Sequence, residues 1–207
     1  MRTRLTLATT LALLLTGCQH AATTPGAIPL EDPMENAPPV ARGFDAEGLS
    51  TLLLAEIAGQ RGDYRRAARG YLEVNERYGS VALAERATLA ARYANDSALL
   101  EQAALRWQRL ADDATTPHYV LASLAVQRGD WETALAQRLR IAAREPDAEL
   151  AALAELAIED DADLAPLLAD LHDFIDEHPD HLDAQLATAQ LEAAQGDIQA
   201  ADARLAR

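Results

Sequence analysis

Gln60-Arg61-Gly62-Asp63-Tyr64, Gln127-Arg128-Gly129-Asp130-Trp131 and Gln195-Gly196-Asp197-Ile198 decide how this sequence folds, because their glycines stand 67 residues apart, twice. Glycine takes up the left-handed conformation that ends a helix, and the Asp side chain after it accepts hydrogen bonds from the unpaired amides that open the next. Each Gly-Asp pair thus predicts two helices joined by a very short turn. Ala94-Asn95-Asp96-Ser97 and Asp161-Ala162-Asp163-Leu164 lie midway between the glycines as polar breaks in an apolar helical pattern. Sixty-seven is therefore two units of about 33.5 residues, and the body of the chain is a repeat.

The clearest unit runs from Thr115 to Ala148. Thr116 is expected to cap its first helix, with Pro117 in the first turn. Leu121, Leu124 and Ala125 make one apolar face, Ala134, Leu135, Leu139 and Ile141 a second, and Pro146 ends the unit. A unit from Gly48 to Val81 repeats the plan with Leu54, Ala55 and Ala58, then Ala67, Tyr71 and Val74. Weaker copies occupy residues near 81 to 114 and 149 to 181. A fifth unit starts at Leu182 and is short, since 11 residues follow Gly196. Terminal repeats normally need a polar cap. The last face is expected to expose Leu191, Ile198 and Leu205, which suits either a fragment of a longer solenoid or an end that joins a second subunit.

These units resemble the tetratricopeptide repeat, or TPR, a helix-turn-helix of 34 residues with a W-x2-L-G-x2-Y, A-x3-F, P pattern. Leu54, Ala67 and Tyr71 match in the first unit, and Leu121, Ala134 and Pro146 in the third. Thr51 and His118 stand in place of the Trp, Ala58 and Ala125 in place of the Tyr, and Arg138 in place of the Phe. The resemblance covers about 160 residues and implies an all-α solenoid of about four and a half repeats over 45–207. It also implies a concave protein-binding face lined by outward residues of the first helices: Leu52, Glu56 and Gln60, then Glu85, Leu89 and Arg92, then Tyr119, Ser123 and Gln127. The stretch Leu52 to Asp63 is similar to the start of long TPR lipoproteins that dock a carboxy-terminal processing protease and bring it cell-wall hydrolases.

Composition agrees with helix. Of 207 residues 46 are Ala and 33 Leu, at the top of the helix-propensity ranking, and only nine are aromatic. The net charge of −15, near −17 once Arg2 and Arg4 are removed, argues against nucleic acid and gives no attraction toward anionic lipid. Lys is absent, which fits either GC-rich codon usage or a saline habitat.

The amino terminus reads as an address. Arg2 and Arg4 precede an apolar run of 11 from Leu5 to Leu15, too short for a bilayer span of about 20 residues. Leu15-Thr16-Gly17-Cys18 resembles the bacterial lipobox, which implies a signal peptide over 1–17 and acylation of Cys18, the chain's only cysteine. More than one acyl chain gives stable anchoring. With Gln19 rather than Asp next, the resemblance implies the periplasmic face of the outer membrane. Residues 18–44 form the lipidated Cys and a tether. Five prolines (Pro25, Pro29, Pro33, Pro38, Pro39) between Gln19 and Gly43 favour an extended chain of roughly 75 Å.

Other side chains give little sign of chemistry. His172, His178 and His181 near Asp176 and Asp180 lack metal-ligand spacing and read as polar turn residues. The 14 acids between Glu145 and Asp183 read as a solvated face or a docking face for a basic partner. Arg61, Arg65, Arg66 and Arg69, beside Glu73, suit an exposed charge ladder. Asn95-Asp96-Ser97 reads as a helix cap, and Trp107 and Trp131 as packing residues. No Gly-rich phosphate loop, G-x-S-x-G or second cysteine is present. The expectation is a non-enzymatic adaptor with no cofactor, metal or small-molecule substrate, meeting protein partners in the periplasm and the membrane through its acyl chains. The competing reading is an assembly or pilotin lipoprotein for an outer-membrane complex such as a pilus secretin or β-barrel insertion machine.

Overall fold

The computed structural model describes residues 43–206, and the readings of Cys18, the signal peptide and most of the tether fall outside them. The described residues form ten helices and no strand: α1 (Ala46–Gln60), α2 (Tyr64–Tyr78), α3 (Val81–Tyr93), α4 (Ser97–Leu110), α5 (Thr116–Gln127), α6 (Trp131–Ala142), α7 (Leu150–Glu159), α8 (Leu164–Glu177), α9 (Leu182–Ala194) and α10 (Ile198–Leu205). They follow one another as five two-helix units. In four of the five units the two helices pack directly on each other; in the fourth, α7 packs closely against α9 of the next unit rather than against α8.

The five intra-repeat turns share one construction. Gly62, Asn95, Gly129, Asp161 and Gly196 all have positive φ, from 51° at Asn95 and Asp161 to 91° at Gly196. Just past each, a backbone N–H reaches back five residues, as Asp63 N to Ala58 O (2.9 Å) and Asp197 N to Glu192 O (2.9 Å), closing the exposed carbonyls of the first helix. Asp63, Asp96, Asp130, Asp163 and Asp197 then cap the second helix, each accepting an amide two or three residues on at 3.1 to 3.2 Å. The sequence reading of Gly62 with Asp63, Gly129 with Asp130, and Gly196 with Asp197 as helix-joining turns describes this geometry. Thr116 behaves differently: α5 is flanked by Thr115, whose side chain makes no capping bond, while Pro117 does occupy the first turn.

Small residues let the paired helices approach. Ala55, Ala58, Ala67, Ala68, Ala87 and Ala91 are buried in the first repeats, and Gly70 lies so close to α1 that a Cβ there would stand 2.8 Å from Ala55 Cβ. The fourth unit is built differently, from the larger Leu150, Leu153, Leu167, Leu168, Leu171 and Phe174. Two expected core assignments invert. Leu54 is half-exposed, because among the described residues no second helix precedes α1. Leu191, expected to be exposed, is fully buried on α9 against α7 and α8. Ile198 and Leu205 are exposed, as expected.

Polar links cross the stack at about one repeat's separation. Arg65 Nε meets Asp96 at 2.9 Å, so its partner is the next turn rather than Glu73. Arg106 Nε donates to the buried Asn75 at 2.7 Å, Trp131 Nε1 donates to Asp160 at 3.1 Å, and Arg144 donates to Asp112 O at 3.0 Å.

Candidate partner-binding surface

The first helices α1, α3 and α5 place side by side most of the residues assigned to the concave face. On α3 the buried edge Leu83, Ala84, Ala87 and Ala91 fixes the rotation, which turns Glu85, Leu89 and Arg92 to solvent. On α1, Gln60 is exposed, while Glu56 is half-buried and ion-paired with Arg86 of α3. Leu52 packs instead against the amino-terminal core, so its contribution to the surface is an edge only.

Arg92, Tyr119, Ser123 and Gln127 come together around a cavity of about 340 Å³ where the end of α3 and the start of α4 meet α5. Its lining also includes Ala91, Leu100, Val120 and Leu124 as apolar surface and Asn95, Asp96, Ser97 and Thr116 as polar surface. Leu52, Glu56, Gln60, Glu85 and Leu89 lie outside this cavity. Thr116, Val120, Ser123 and Gln127 recur at three- and four-residue spacing, so one edge of α5 supplies much of the wall. That spacing was available in the sequence; the contribution of Leu100, from a second helix, was not.

Tyr119 is a strut as well as a lining residue. Its hydroxyl donates to Glu145 Oε2 at 3.2 Å, and the Arg138 guanidinium lies 4.9 Å from its ring centroid. Burial, with the nearby Glu145 carboxylate, pushes its phenol above the ordinary range. Behind the cavity wall His118 is buried, its Nδ1 2.7 Å from Gln137 Oε1, and burial holds its pKa below the usual value. Arg92 has no ion pair among the described residues. An apolar floor ringed by hydroxyls, amides, the Asp96 carboxylate and one guanidinium can hold an extended polypeptide or a single anchoring side chain.

The three histidines do not converge. His172 Nε2 lies 3.0 Å from Glu192, His178 stacks on Phe174 at 4.4 Å, and His181 accepts the Ala184 amide as the cap of α9. Trp131 packs against the carboxy-terminal core, and Trp107 is half-buried on α4.

No family model matches the chain. It is similar to a protein of Pseudomonas aeruginosa described as TPR repeat-containing protein PA4667, with 29% identity over 178 residues, which is 83% of this chain and 30% of that protein. The chain therefore spans less than a third of the relative's length. Repeat period, left-handed turns, Asp caps and this similarity agree: the described residues form an all-α, TPR-like array of helices.

Proposed function

We propose that this chain is a protein-binding scaffold held at the cell envelope by acyl chains on Cys18, on the periplasmic face of the outer membrane, and that it performs no catalysis itself. Supporting the anchor is the sequence Leu15-Thr16-Gly17-Cys18 after a short apolar run. The observation that carries the binding reading is the α3–α5 cavity, where an unpaired Arg92 and the polar groups of Ser123 and Gln127 surround an apolar floor on the surface shared by successive first helices. A groove of this kind accepts a peptide or a partner helix. A protease or cell-wall enzyme is the partner class suggested by the resemblance of Leu52 to Asp63 to the protease-docking lipoproteins.

Two measurements test it. Mass spectrometry of the mature amino terminus is expected to find acyl groups on Cys18, and an unmodified thiol would overturn the anchor. Photo-crosslinking groups placed at Ser123 and Gln127 are expected to capture a discrete envelope protein that groups at Glu132 and Asp170, on second helices, do not. Equal capture from all four positions would overturn the groove.

A further inference from the structure

Two hydrophobic cores divide the stack. One draws on α1 to α4, from Ala55 to Ala103, and the other on α5 to α9, from Ala125 to Leu191. The seam falls between α4 and α5, where Leu121 and Leu124 are buried without joining either core. The α3–α5 cavity opens along the same seam, with Ala91 and Leu100 on one side and Tyr119 and Leu124 on the other.

Polar groups tie the halves together across it. Arg128 meets Glu101 at 3.0 Å and Arg144 donates to Asp112 O at 3.0 Å, both at exposed positions. The buried tie is His118 of α5, which is 3% exposed and contacts Gln108 of α4 and Gln137 of α6. Its Nδ1 lies 2.7 Å from Gln137 Oε1, so Nδ1 carries the hydrogen and donates it. The same oxygen accepts Gln108 Nε2 at 3.3 Å, which joins all three helices at one point.

This joint suits a neutral ring. The charged groups that face it are Arg140 and Arg144 of α6, both cations, while the contact from α4 is the uncharged Gln108. Among the described residues no carboxylate hydrogen-bonds to the ring. Burial is the largest cause holding the His118 pKa below the ordinary 6.5, with Arg140 and Arg144 adding to it and the Gln137 bond opposing. A folded pKa below the unfolded one means that the stabilisation is fully present above 6.5 and is lost as pH falls toward the folded value.

We propose that the α4–α5 seam is an acid-sensitive joint: neutral His118 pins α4 to α6, and a proton on its ring releases the pin, parting α4 from α5 and widening the α3–α5 cavity. Its bearing on binding rests on the groove as the partner surface. The joint itself is tested without a partner, so either can fail alone.

Trp107 lies next to Gln108 on α4 with its Nε1 buried, and it reports on the seam once Trp131→Phe removes the second tryptophan. In the full-length Trp131→Phe protein its emission is expected to move to longer wavelength between about pH 7.5 and 5.5, with helical circular dichroism unchanged and the open fraction rising toward about tenfold per pH unit. Adding His118→Gln, whose amide can still donate to Gln137, is expected to abolish the shift. No shift in the Trp131→Phe protein, or an equal shift with His118→Gln added, would overturn the proposal. Should His118→Gln fail to fold, nuclear magnetic resonance of the wild type decides: the His118 ring and the side-chain amides of Gln108 and Gln137 are expected to change together on acidification. A ring that takes up its proton while both amides stay unmoved would overturn the joint.

Discussion

Asp183, on α9, accepts the backbone N–H of Leu150 at 2.8 Å, at the first turn of α7, one repeat earlier in the chain. The same carboxylate accepts the amides of Ala148 (3.1 Å) and Ala151 (3.0 Å). Residue 149, the position before α7, is a glutamate in the left-handed region with φ 56° and makes no side-chain cap of its own. The cap of α7 thus comes from a different helix, and it locks α9 onto α7. Asp183→Ala is expected to lower stability by about 1–3 kcal/mol, since three partly buried amides lose their acceptor. Hydrogen exchange should localise the loss: amides of Ala148, Leu150 and Ala151 lose protection while those of α1 and α2 keep theirs.

Gly70 sets two effects against each other. Ala in its place raises helix propensity by about 1 kcal/mol. The added Cβ would lie 2.8 Å from Ala55 Cβ, on a neighbour with no flexible chain to move, and overpacking of this kind costs about 1–3 kcal/mol. The clash outweighs the propensity, so Gly70→Ala is expected to lower the urea midpoint, and a raised midpoint would show that α1 and α2 separate freely.

At Gly62 the backbone alone decides. With φ at 80° and nothing within 4 Å of an added Cβ, Gly62→Ala meets no clash and is expected to cost about 1–2 kcal/mol from the left-handed conformation itself. Gly62→Asn should cost less, because Asn95 already holds the equivalent place at φ 51°. Thermal melts of the two variants give the ordering.

Glu192 governs acid stability of the last unit. Its buried carboxylate accepts Arg204 at 2.6 and 3.0 Å and lies 3.0 Å from His172. The Arg204 hydrogen bond is the largest cause holding its pKa below the ordinary 4.5, ahead of the opposing effect of burial. A depressed folded pKa means the stabilisation is fully present above pH 4.5 and is lost as pH falls through the folded value. Glu192→Gln is expected to flatten that acid limb, and α10 should lose exchange protection at neutral pH as well.

The turns of this fold were legible because they are local. Gly-Asp specifies both a left-handed residue and a cap within two positions, and even Asn95 and Asp161, lacking glycine, kept the polar signature. What could not be read depends on neighbours a repeat away. Leu54 and Leu121 hold the same register position, yet one is half-exposed and the other buried, because among the described residues only the second has a helix before it. Leu191 looked like an open end, but α7 and α8 fold against it. Asp183 was one acid among 14 in an acidic stretch, and only tertiary structure brings it to the start of α7. For the partner surface, the outward turn of Glu85, Leu89 and Arg92 followed from helical spacing, whereas the joining of Arg92 with Ser123 and Gln127 required the stack.

The most direct measurement compares recovery of envelope proteins by the full-length wild type, by Arg92→Glu with Ser123→Arg in the cavity, and by Glu132→Arg on a second helix. The cavity variant is expected to recover at least about tenfold less of the partner, as when a binding anchor is removed, and Glu132→Arg to change recovery little. Full recovery by the cavity variant, with helical content intact, would contradict it.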